Sequence, residues 1–249
     1  MGPLTLAIVA GGVAAGFIQG LSGFAYALVA TAIWVWLVEP QMLVPLVLCS
    51  SLIGQVASSH AIGSHFKLAR AAPFLIGGAV GVPIGVATFH QINEDAFRFG
   101  VGLILILYCT ATFAVANLPK ITRGGKWADG IVGLVSGVMG GLGGLSGPAP
   151  IIWCALRGWD KNVQRATFQP LFFLVGVLTT AMYGATGGIT AETLHALALV
   201  APAVMVSSWL GARVYKAVPE QAFRKLLLVM LLISGLTLVG PPAFRWMGM

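Results

Sequence analysis

Two identical tetrapeptides are the residues most suited to binding a ligand. Gly20-Leu21-Ser22-Gly23 recurs 124 residues later as Gly144-Leu145-Ser146-Gly147. Each motif precedes an apolar segment, which begins at Phe24 in one case and at Pro148 in the other. We therefore predict that each motif is a turn between two helices, with its serine placed to cap the unpaired N–H groups of the second helix.

The start of a helix inside a bilayer can bind an anion. Its first amides lack partners within the helix, lipid cannot satisfy them, and the helix dipole adds about half a positive charge. Two such starts that approach from opposite faces would hold an oxyanion with N–H and O–H donors and without a full charge. Alternatively, the Gly-Ser turns only break the helices, and their amides bond neighbouring side chains.

Few polar residues lie inside the apolar segments, where their cost makes them candidates for function. Gln19, Gln55 and Gln169 could donate to substrate oxygens or bond one helix to another, and both interpretations stay open. Arg165 could attract an anion, but topology alone also explains a basic residue near the end of a span. The candidate substrate-binding residues are Gln19, Gly20, Ser22, Gly23, Gln55, Gly144, Ser146, Gly147, Arg165 and Gln169.

Other polar residues indicate what the chain does not do. The hydroxyls of Ser50, Ser51, Ser58, Ser59, Thr179 and Thr180 are expected to bond the backbone of their own helices. Every Asp and Glu lies at a segment end or in a loop, which counts against a cation carrier. The tips read G-x-S-G, whereas a nucleophile elbow needs G-x-S-x-G, and no CxxC pair occurs. We expect no enzymatic activity, cofactor, metal or nucleic-acid partner.

The composition shows which elements must position these residues. Of the 249 residues, 58% are apolar and 8% are charged, and the mean hydropathy is +0.93. These values exclude a soluble globule and a disordered chain, and they indicate an all-α integral membrane protein because the apolar runs do not alternate. The predicted segments are 4–20, 24–38, 42–61, 72–89, 97–117, 128–144, 148–156, 165–186, 193–213 and 222–240. The second and seventh are too short for spans, so we predict half-helices there.

An internal repeat divides the chain into two halves. Residues from Gly85 to Arg98 resemble those from Gly211 to Arg224, in addition to the two tetrapeptides. The predicted units are a first membrane repeat at 1–117, a cytoplasmic linker at 118–127 and a second membrane repeat at 128–249. Small residues at every fourth position predict close helix packing, as at Gly12, Gly16 and Gly20 and at Gly77, Gly81 and Gly85.

Loop charges orient the two repeats. The loops 62–71, 118–127, 157–165 and 213–225 hold 12 of the 14 Lys and Arg residues. By the positive-inside rule all four are cytoplasmic, which requires each broken helix pair to return to the face it came from. We therefore predict two inverted repeats, each a broken-helix hairpin plus three transmembrane helices, with both termini external. Secondary transporters commonly share this plan.

The chain resembles the sulfite exporter TauE/SafE family of membrane permeases. The resemblance is carried by the two related halves and by their glycine-rich openings at 16–23 and 140–148. It implies export of small organic or inorganic anions, such as sulfite or the sulfonate sulfoacetate, across a bacterial inner membrane. The expected partners are a small anionic substrate and the lipid bilayer, and the sequence leaves homo-oligomerisation open. A non-transporting membrane subunit or assembly factor is the alternative.

Overall fold

The computed structural model describes residues 2–59, 67–89, 91–115, 120–121 and 124–214, and the helical positions 228–229, 231–233, 235–236 and 238–239. Nine helices lie within the ranges up to 214, and none of the described residues forms a strand. They are α1 (Pro3–Ser22), α2 (Tyr26–Trp34), α3 (Pro40–Ser58), α4 (Leu68–Phe89), α5 (Glu94–Val115), α6 (Gly125–Gly143), α7 (Pro148–Leu156), α8 (Lys161–Ala185) and α9 (Ala191–Val214).

The lengths of the helices confirm an all-α membrane protein. Among the described helices, α1, α3, α4, α5, α8 and α9 are long and apolar enough to cross a bilayer. The half-helices predicted after each tip are also confirmed, since α2 and α7 have only nine residues each. Residues 62–66 of the loop 62–71, residues 215–225 of the loop 213–225 and the repeat matches after Gly211 lie outside the described residues.

Several helices begin two to four residues before the predicted segments. α6 begins at Gly125, within the predicted linker 118–127, and α5 begins at Glu94. The added turns are polar, so hydrophobic periodicity does not detect them. They are stabilised in other ways: the Asp160 carboxylate accepts hydrogen bonds from the first amides of α8, and the acidic first turn of α5 complements its helix dipole.

Glycines allow two pairs of helices to pack with their backbones in contact. α1 and α9 run in the same direction, since Gly12 lies against Val200 and Gly20 against Ser208 and Ala212. α4 and α6 are arranged in the same way, with Gly77 and Gly81 on the α4 side. A Cβ at these glycines would overlap atoms of the opposite helix, so the predicted close packing of small residues is confirmed.

These pairs connect the two halves of the chain. The long helix of the first hairpin, α1, packs on α9 from the second half, and the long helix of the second hairpin, α6, packs on α4 from the first. Between these pairs α3 meets α8, where a Cβ on Gly176 would lie 2.8 Å from Leu52 Cδ2. Leu52 and Gly176 are 124 residues apart, which is also the spacing of the two tips in the sequence.

Candidate functional site

The first tip ends α1 and is held by its own serine. α1 continues through Ser22, and Gly23 then adopts the left-handed conformation with φ of 84°. The Ser22 hydroxyl donates to Ile18 O at 2.7 Å and accepts from the amides of Phe24 at 3.3 Å and Ala25 at 3.1 Å. These bonds hold the turn before α2, but the N-cap of α2 is Ala25, and no side chain among the described residues bonds its first amides. The predicted capping of the second helix by Ser22 is therefore wrong, and the hydroxyl is engaged within the tip.

The second tip has the same four residues in a different conformation. α6 already ends at Gly143, and the left-handed glycine is Gly144, with φ of 73°. The capping role predicted for Ser146 is wrong, because Gly147 caps α7 and no side chain bonds the α7 amides. Ser146 lies in the non-helical link, where its carbonyl accepts a hydrogen bond from Ser136 Oγ at 2.7 Å. Its hydroxyl remains available.

The two hairpins meet around a central cavity. A Cβ on Gly147 would lie 3.1 Å from Phe24 Cδ2, so the second tip touches the residue that follows the first. The cavity is formed by both hairpins together with the middle turns of α3 and α8. Its lining residues are Gln19, Phe24, Ala27, Leu48, Ser51, Gln55, Gly144, Ser146, Phe172, Val175 and Gly176.

One wall of the central cavity is polar and uncharged. Gln19 Nε2 donates to Ser51 O at 2.9 Å, and one of its two protons remains unused. The Gln55 amide and the Ser146 hydroxyl, which also line the cavity, have no hydrogen-bond partner within the ranges described. Apolar side chains, among them Phe24 and Phe172, complete the lining. The cavity can therefore donate hydrogen bonds to an anion without neutralising it by a full charge.

Arg165 lies beneath the first tip and does not line the central cavity. Its guanidinium is buried, with Nη2 3.5 Å from Gly20 O and Nε 3.3 Å from Gln169 Oε1. A Cβ on Gly23 would lie 3.2 Å from Arg165 Nε. Four predicted site residues, namely Gly20, Gly23, Arg165 and Gln169, thus form a second cluster. It places a buried positive charge on the first tip.

Three aromatic rings, those of Phe24, Phe168 and Phe172, lie beside the central cavity and are here called the aromatic partition. Phe168 and Phe172 follow Arg165 on one face of α8, and their ring centroids are 5.0 Å apart. Phe24 packs edge-on to Phe168 at 6.1 Å. The cavity itself has a volume of about 20 Å³, which is room for about one water molecule. An anion can occupy it only if the partition or a tip moves.

The structure divides the predicted site residues into groups. Gln19, Gln55, Gly144 and Ser146 meet at the central cavity, and Gly20, Gly23, Arg165 and Gln169 meet beneath it. Ser22 and Gly147 support the two tips. Sequence reasoning missed Phe24 and Phe172, because an aromatic residue in an apolar segment carries no functional signal. No group of three metal-ligating side chains is found in the part of the chain described.

The predictions for the remaining hydroxyls hold only in part. Ser51, Ser58 and Ser59 donate to carbonyls of their own helix, as predicted. In contrast, the buried hydroxyls of Thr179 and Thr180 find no partner among the described residues, and the Ser50 hydroxyl lies near the Tyr26 hydroxyl and does not bond its own helix.

Comparison with models of known protein families gives one match. Residues 8–238 match the family described as Sulfite exporter TauE/SafE. No curated protein and no solved structure matches the chain. The matched range includes both tips, the central cavity and the Arg165 cluster, so it covers all the candidate site residues.

Proposed function

Because the chain belongs to the sulfite exporter TauE/SafE family, we propose that it exports sulfite or a small sulfonate such as sulfoacetate through the central cavity. Membership confirms the resemblance found in the sequence. It identifies a multi-pass membrane transporter and excludes an enzyme. The anion, its binding residues, the bacterial inner membrane and the external termini are parts of the proposal.

The observation that carries the proposal is the combination of neutral donors and apolar side chains in the lining of one cavity. Gln19, Gln55 and Ser146 offer N–H and O–H groups that suit sulfur oxyanions, while Phe24 and Phe172 suit the carbon end of a sulfonate. No carboxylate lines the cavity, so an anion meets no fixed negative charge. Hydrogen bonds to a charged group are among the stronger ones in proteins, which compensates in part for the lost hydration.

The position of the cavity fits a route across the membrane. Ser51 lies near the middle of α3, and Phe172 and Gly176 lie near the middle of α8. We propose that Arg165 attracts the anion on the cytoplasmic side and that the partition of Phe24, Phe168 and Phe172 then opens towards the central cavity. The reciprocal packing of α1 on α9 and α6 on α4 supports an inverted repeat, in which each hairpin serves one face.

Binding and flux measurements test this function. The purified protein is titrated with sulfite, sulfoacetate, methanesulfonate, acetate and chloride while its melting temperature is followed. Sulfite or the sulfonates should stabilise it most, and liposomes that contain the protein should release these anions faster than empty liposomes. Stabilisation by none of these anions, or stabilisation without flux, would overturn the proposal. The second outcome would favour the non-transporting subunit.

Cysteine labelling tests the orientation. Single cysteines at Lys120, Lys161 and Lys216, in a variant without Cys49, Cys109 and Cys154, should resist an impermeant thiol reagent in intact cells. They should react once the cells are opened. Labelling at 161 and 216 but not at 120 would instead establish a parallel arrangement with eight spans.

A further inference from the structure

The amide of Gln19 has one satisfied end and one unsatisfied end. Its side chain is 1% exposed, and Nε2 donates to Ser51 O at 2.9 Å. Oε1 has no hydrogen-bond partner in the described part of the chain. A buried carbonyl oxygen without a donor is costly, so a neighbouring hydroxyl that donated to it would stabilise the amide.

Ser208 of α9 is that group. Its hydroxyl is fully buried and likewise finds no partner among the described residues. Both oxygens face the space beside Gly54, where a Cβ would overlap Gln19 Oε1 and lie 2.8 Å from Ser208 Oγ. The missing side chain of Gly54 thus leaves the room in which an acceptor and a hydroxyl donor face each other.

We propose that Ser208 and Gly54 are positioning residues for Gln19, with the Ser208 hydroxyl donating to Gln19 Oε1. This inference rests on the proposed anion binding in the central cavity. If the Gln19 amide were rotated by about 180°, its oxygen would face the Ser51 carbonyl, and two acceptors repel each other. With Ser208 holding Oε1, the free N–H of Gln19 faces the cavity as a donor. Without Ser208, the rotated amide is less unfavourable, and in that orientation its oxygen faces the anion.

The adjacent serine provides a matched control. Ser207 is also buried in the interface between α1 and α9, at 5% exposed, but its hydroxyl donates to Val204 O of its own helix at 3.2 Å. Ser207→Ala and Ser208→Ala therefore remove the same group from the same interface. Only the second change removes the donor that faces Gln19.

A double-mutant cycle tests the inference, with Kd for sulfite and methanesulfonate measured by calorimetry in detergent. Ser208→Ala should raise Kd about five- to tenfold, and Ser207→Ala less than about twofold. In a Gln19→Ala background, Ser208→Ala should change Kd less than about twofold, because the group it positions is gone. Gly54→Ala should raise Kd at least as much as Gln19→Ala, since a Cβ there displaces the amide.

The outcomes separate this inference from the proposed function. If the unchanged protein binds neither anion, the function fails and the inference fails with it. If it binds but Ser208→Ala costs no more than Ser207→Ala, or costs the same in the Gln19→Ala background, only the inference fails. Should Ser208→Ala not fold, Ser208→Cys keeps the shape of the side chain, with a larger atom and a weaker donor. It should then raise Kd more than about twofold, and an unchanged Kd would overturn the inference.

Discussion

The two tips have the same sequence, Gly-Leu-Ser-Gly, and different structures. The left-handed glycine is the last residue of the first motif, Gly23, and the first residue of the second motif, Gly144. The turn is therefore shifted by three residues. As a result Ser22 bonds within its own tip, whereas Ser146 presents its hydroxyl to the central cavity. Equal residues thus have unequal contacts.

Packing outside the motif explains the shift. Gly20 is a helical residue in contact with α9, so α1 has to remain helical through the beginning of its motif. α6 makes its last close glycine contact with α4 at Gly141, before its motif begins. Gly144 is therefore free to end α6, and Pro148 favours the start of α7 four residues later.

The largest difference between the tips should appear at their first glycine. Gly20→Ala should cost about 3 kcal/mol or more, because its Cβ would overlap Ser208 O and lie 2.6 Å from Ala212 N, and backbone atoms cannot yield. Gly144→Ala should cost only about 1 kcal/mol, from its positive φ. Thermal unfolding in detergent measures both changes. Equal melting temperatures would show that the α1–α9 contact does not hold the first tip.

The next largest difference is expected between the two tip serines. Ser146→Ala should weaken sulfite or sulfonate binding by about 1–2 kcal/mol, or roughly five- to thirtyfold, because it removes a donor from the cavity. Ser22→Ala should leave Kd within about twofold and lower stability by about 1 kcal/mol, because two tip amides lose their acceptor. Titration and thermal unfolding of the same preparations separate the two effects. The reverse pattern would assign the binding hydroxyl to the first tip.

A further difference between the tips is the buried guanidinium of Arg165, which lies beside the first tip. If the guanidinium attracts the anion before the cavity binds it, as proposed, Arg165→Gln should raise KM for flux from the cytoplasmic side about two- to fivefold. Equilibrium affinity should change less, because the cavity uses neutral donors. Arg213→Gln is the control, since Arg213 is exposed and stacks on Trp209. If Arg165→Gln abolished binding by a folded protein, neutral donors would not be the principal anion ligands.

The sequence predicts the elements better than the atoms that meet between them. Apolar length and loop composition predict the spans and both half-helices, and the duplicated motif locates both tips. Ser208 and Gly54 carry no local signal, because their relation to Gln19 exists only once α1, α3 and α9 pack. Identical motifs also cannot predict two different turns, because the turns follow from the contacts of Gly20 and Gly141 with other helices.

The smallest effect is expected at the last glycine of the second tip. Gly147 has φ of −70° and ψ of −47°, a right-handed helical conformation that alanine adopts readily. A Cβ there would lie 3.1 Å from Phe24 Cδ2, so the ring has to shift by a few tenths of an ångström. Gly147→Ala should therefore change stability by less than about 0.5 kcal/mol, whereas Gly23→Ala, with φ of 84°, should cost about 1 kcal/mol. Thermal unfolding of the two variants side by side measures the difference. If Gly147→Ala cost as much as Gly23→Ala, the two tips would have the same turn in solution, and the different roles proposed for their serines would lose their structural basis.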